Sequence, residues 1–153
     1  MELSAEVATA YVRGAIDQMR RVADRLGDDL VNERPVGEAT NSVSGLVVHL
    51  CGMAEYWLGH EGLGRESSRD RDAEFRATAT LAELHVLLDG LFARIETDIA
   101  ELDRRGTTSP DAPRAAGLPG GDDPGSLVVH VLEEMYQHLG HMELTVDVLL
   151  ARP

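Results

Sequence analysis

A chain of 153 residues with 27 Asp and Glu against 14 basic residues, for a formal charge of −13, has no cationic block to neutralise nucleic-acid phosphates or dock on anionic membranes. All 14 basic residues are arginine, so Schiff-base chemistry on a lysine, including pyridoxal-phosphate attachment, is excluded. At 43% hydrophobic residues, the length suits one domain, residues 1–153, around one core.

The first apolar stripe, Val12, Ile16, Met19, Ala23, Leu26 and Leu30, repeats at four- and three-residue spacing and predicts a helix from near Ser4 to before Pro35. The second, Val43, Leu46, Leu50, Met53 and Trp57, predicts a helix capped by Asn41 or Ser42 that leaves at Gly59–Gly64. Residues 62–79 read as a connection of mixed charge. A third stripe, Leu81, Leu84, Leu88, Leu91, Ile95 and Leu102, follows Thr80 and Glu83 in capping-box spacing. Residues 106–125, with four of the six prolines and five of the 15 glycines, predict an irregular loop. Asp123 and Pro124 then precede a fourth stripe, Val128, Val131, Met135, Leu139, Met142, Val146 and Leu149. Four such helices with two long connections predict an all-α four-helix bundle with crossovers.

The single cysteine, Cys51, rules out an intrachain disulfide and a cysteine-based zinc site, and two positions from His49 it points away from that residue's face, as a buried structural thiol. The N-terminal residues lack the order of a secretory signal and no apolar run reaches about 18 residues, so a cytoplasmic protein is expected. No Ser-His-Asp order is present, and the glycines at 117, 120, 121 and 125 lack the strand context of a phosphate loop. Tyr56 and Trp57 read as core and pocket wall.

Six histidines stand at 49, 60, 85, 130, 138 and 141. His49 borders the apolar stripe of the second helix. With Met135 at the centre of the buried face of the fourth, His138 lies about 60° away, Glu134 about 100° and His141 about 120° on one flank. A Glu and a His four residues apart reach one ion, and His49 is the inward-facing histidine of the earlier helices. His49, Glu134 and His138 thus form a candidate two-His-one-carboxylate set for Zn²⁺ or another divalent transition metal. The same spacing equally fits boundary histidines and a solvent-side ion pair. His130, about 12 Å from His138 by helical rise, cannot share an ion with it. His60, about 16 Å beyond His49 along the axis, could line a pocket mouth.

The stretches NSVSGLVVHLCGMAEYWL, RDRDAEF at 69–75 and LVVHVLEEMYQHLGHMELTVDVLL resemble the DinB-like superfamily of metal-binding four-helix bundles, which includes mycothiol-dependent maleylpyruvate isomerases and thiol S-transferases. The family's L-x-x-H-L pattern is matched at Leu46–Leu50, and its second helix-four ligand followed by x-G-H at His138–His141. Glu134 stands where many members have histidine, as in the mycothiol-using branch. The resemblance implies Zn²⁺, or alternatively Ni²⁺, held by His49, Glu134 and His138, with mycothiol as thiol cosubstrate, a small electrophilic substrate and a homodimer that does not bind DNA. A metal-bound thiolate would be the nucleophile of an S-transfer or isomerisation, with His141 or His130 moving protons or orienting a ligand. Arginines of the 65–76 stretch are candidates for substrate carboxylates, against a plain solvated connection. The rival readings are a non-catalytic metal-binding or dimerisation protein and a metal-dependent hydrolase or cyclase without a thiol.

Overall fold

Ser4 accepts a hydrogen bond from the Val7 N–H and starts α1, Ala5–Leu30. A computed structural model describes residues 3–107, 117–119 and 123–152 of the chain. A short extended segment, β1, Pro35–Glu38, separates α1 from α2, Val43–Ala54, where the Ser42 hydroxyl accepts from Gly45 N–H at 3.1 Å. From Glu55 to Gly62 the same helix widens into π-helical turns. Asp70 caps the short α3, Arg71–Glu74, and Thr80 with Glu83 completes the capping box of α4, Leu81–Arg105. Asp123 caps α5, Pro124–Leu150, which carries proline at its start. Most of the predicted irregular loop, residues 108–116 and 120–122, lies outside the described residues. Among the described residues no helix is long and apolar enough to cross a membrane.

The four long helices pack as the periodicities require. Every residue of the fourth stripe is buried, as are Val12, Ile16, Met19, Ala23 and Leu26 of the first. Each large apolar side chain removed from water contributes about 1.5–3 kcal/mol before entropy is counted. α1 packs against α4 and α5, and α2 packs against the same two, so α1 and α2 face each other diagonally across the bundle. The α1–α2 connection therefore joins helices on a diagonal, while α2 and α4 are neighbours.

Two expectations are corrected. Trp57 does not complete the buried stripe of α2: the wider π turn inserts one extra residue, so Leu58 is fully buried and Trp57 only half-buried. Residues 62–79 are not a plain solvated connection. They contain α3 and are tied to the bundle by Arg65 to Asp98 of α4, by Arg34 donating to Phe75 O at 2.9 Å, and by Asn32 exchanging two 3.0 Å hydrogen bonds with Ala79. These ties hold α3 against α2, beside His49.

Candidate metal centre

His49 lies in the middle of α2 with its side chain only 3% exposed, and α5 brings Glu134 and His138 to it. One ligand atom from each of the three lies within 4.8 Å of the others. Glu134 Oε2 and His138 Nε2 are 3.4 Å apart, close to the separation that metal bonds of about 2.0–2.2 Å impose on neighbouring tetrahedral ligands. Glu134 and His138 keep 27% and 19% of their side-chain surface, so the cluster is closed behind His49 and open on the α5 flank.

His49 is held on three sides. Phe75 stacks on its ring with centroids 4.2 Å apart, and His138 meets it edge-on at 4.8 Å. Its Nδ1 lies 2.9 Å from Glu74 Oε2. A carboxylate only accepts, so Nδ1 carries the proton and the lone pair is on Nε2. Arg69 donates to the same carboxylate through Nε (2.8 Å to Oε1) and Nη2 (3.0 Å to Oε2). Its Nη2 is also 3.3 Å from His49 Nδ1, the longer contact, and the shared Glu74 oxygen accounts for that approach.

Two glycines of α2 admit this neighbour. A Cβ at Gly45 would stand 2.8 Å from Phe75 O, and one at Gly52 would overlap Glu74 Oε1.

Burial holds the His49 imidazole below its ordinary pKa despite the opposing hydrogen bond that it donates to Glu74. Burial, reinforced by the repulsion a proton would meet from the neighbouring His49 ring, pushes His138 down to about 4. Both rings are therefore neutral near pH 7, the form in which imidazole ligates a metal. Two imidazole nitrogens and one carboxylate suit Zn²⁺ and its transition-metal neighbours better than Ca²⁺ or Mg²⁺, which take oxygen ligands. The residues present thus fit such an ion.

The remaining histidines fall outside this cluster. His141 lies beside His138, ring centroids 6.4 Å apart and planes at 26°. His130 meets the Trp57 ring edge-on at 4.6 Å and has Glu133 3.6 Å from Nδ1. His60 is exposed on the π-helical turns, its Nδ1 2.7 Å from Arg65 O, and His85 pairs with Asp24 across α4 and α1. Cys51 is half-buried and its Sγ points to Leu87 O at 3.9 Å; burial pushes the thiol up to about 11. A surface cavity of about 710 Å³ between Arg34, Glu38, Asp72 and Arg76 shares only Phe75 with the site, and none of the three candidate ligands lines it.

Glu74, Arg69 and Phe75 were not singled out by sequence reasoning. The RDRDAEF stretch contains them, but nothing in a run of alternating charges marks one carboxylate as buried.

A helical bundle in which one helix supplies a histidine and the last helix a Glu and a His four residues on has the architecture of DinB-like proteins. The family model for the Mycothiol-S-transferases matches residues 7–147, and the chain belongs to that family. No curated protein and no solved structure is detectably similar to it.

Proposed function

We propose that this protein is a divalent-metal-dependent thiol S-transferase that joins mycothiol, or a thiol like it, to a small electrophile. The observation that carries the reading is the convergence of His49, Glu134 and His138 to within 4.8 Å in a member of the Mycothiol-S-transferase family. These three side chains would hold the ion, Zn²⁺ by its preference for this donor set. When bound, the ion supplies the Lewis acidity that keeps a low-molecular-weight thiol ionised near neutral pH.

The chain's own residues do the rest. His49, stacked under Phe75, closes the inner side of the site to water, so thiol and electrophile enter from the α5 flank, where Glu134 and His138 are partly exposed. His141, half-buried next to His138, takes the thiol proton on a ring nitrogen and returns it to the carbon or leaving group as the new S–C bond forms. His130, packed against Trp57, lines the approach and orients the incoming molecule. Cys51 takes no part, since its thiol stays protonated and points to α4.

The test is adduct formation from mycothiol and a panel of electrophiles by the Zn²⁺-loaded protein. Saturable formation that is lost on chelation and in His138→Ala is the expected result. A rate unchanged by removing the metal, or turnover of a substrate with no thiol present, would overturn the reading.

A further inference from the structure

Among the described residues no hydrogen bond or ion pair joins Glu74 or Arg69 to Glu134 or His138, yet both are nearly enclosed: their side chains are 9% and 16% exposed. Enclosing two opposite charges is costly unless their geometry is well satisfied. Here it is: the guanidinium grips both carboxylate oxygens in a fork, and the carboxylate accepts from His49 Nδ1 at 2.9 Å. The α2 helix is shaped for this group, because Gly52, three residues past His49, leaves the space that Glu74 Oε1 fills. Glycine within a helix costs about 1 kcal/mol relative to alanine, so the slot is maintained against local helix preference.

We infer that Glu74, clamped by Arg69 and seated on Gly52, is a positioning residue that fixes the tautomer and rotation of His49 and so sets how tightly the site holds a divalent transition metal. The carboxylate keeps the proton on Nδ1 and leaves the lone pair on Nε2, the nitrogen then free to share an ion with Glu134 and His138. Arg69 engages both carboxylate oxygens, so Glu74 stays on the Nδ1 side and does not swing toward the ion's open side. This rests on the metal-site reading above, but its first readout needs no metal.

That readout is the ¹⁵N shift pattern of His49 in the metal-free protein, which distinguishes an Nδ1–H from an Nε2–H imidazole. The Nδ1–H pattern is expected in the wild type, and an Nε2–H pattern overturns the inference whatever the protein does with metal. The second readout is Zn²⁺ affinity by chelator competition. Glu74→Gln, Arg69→Gln and Gly52→Ala should each weaken binding about 10- to 100-fold. The Gly52→Ala/Glu74→Gln double variant should be little weaker than either single one, because both remove the same contact. Asp72→Asn, an exposed change on the same short helix, should leave affinity as it is. Variants that lower Tm but keep wild-type Zn²⁺ affinity would reduce Glu74 to a structural ion pair and contradict the inference. A wild type with the Nδ1–H pattern but no Zn²⁺ uptake would instead refute the metal-site reading and leave the His49 orientation standing.

Discussion

The rings of His49 and His138 meet edge to face with centroids 4.8 Å apart and planes at 79°. Partial burial of His138, and then the closeness of His49, make its ring resist taking up a proton. The His138 pKa is accordingly about 4 in the folded chain against 6.5 when unperturbed. Between those values the unfolded chain binds the proton and the folded chain does not, so folding stability rises with pH. The metal-free protein should therefore lose stability as pH falls from about 6.5 to about 4. Carboxylates titrate in the same range, so the comparison is with His138→Gln. Thermal unfolding should show a steeper acid-side fall of Tm in the wild type than in the variant, and parallel curves would refute the shift.

Cys51 is expected to be inert. Raising a thiol from 9.0 to about 11 lowers its thiolate fraction near pH 8 by about 100-fold, and the thiolate is the reacting species. Iodoacetamide should alkylate the folded protein about 100-fold more slowly than free cysteine, with normal rates restored in urea. Rapid labelling of the folded protein would show that Cys51 is more accessible than its contact with Leu87 implies.

Asp98 of α4 is 1% exposed and has Arg65 as its ion-pair partner, while its Oδ1 has no hydrogen-bond partner among the described residues. Removing the guanidinium in Arg65→Ala would leave a buried carboxylate alone. Buried pairs broken in this way cost several kcal/mol, and because Arg65 itself is 43% exposed the expected loss is smaller, about 1–3 kcal/mol. Urea denaturation should show this loss, and Asp98→Leu in the same background should recover part of it. An unchanged midpoint in Arg65→Ala would mean that water already solvates Asp98.

The four long helices were legible because their stabilising surface is apolar and periodic, and because Ser42, Thr80 with Glu83, and Asp123 with Pro124 mark the starts in local chemistry. The convergence of His49, Glu134 and His138 was legible for the same reason: their angles relative to buried stripes can be counted. What could not be counted depends on tertiary contact. The π-helical turns after Ala54 bury Leu58 in place of Trp57, a choice made by the packing around them. Asp98 sits three residues after Ile95 and four before Leu102, an apolar position by spacing that holds an acid paired with Arg65, which folds over it. Gly45 and Gly52 look like weak points of α2 until α3 is seen against them. Glu74 is one acid among several in its stretch, distinguished only by the chain folding back onto His49.

The assignment of His49, Glu134 and His138 as metal ligands is tested most directly by Zn²⁺ content after metal-free protein is dialysed against Zn²⁺ and then freed of unbound ion. The wild type and His130→Ala should each retain about one equivalent, and His49→Ala, Glu134→Ala and His138→Ala less than about a tenth. A full equivalent retained by His138→Ala, or lost from His130→Ala, would contradict it.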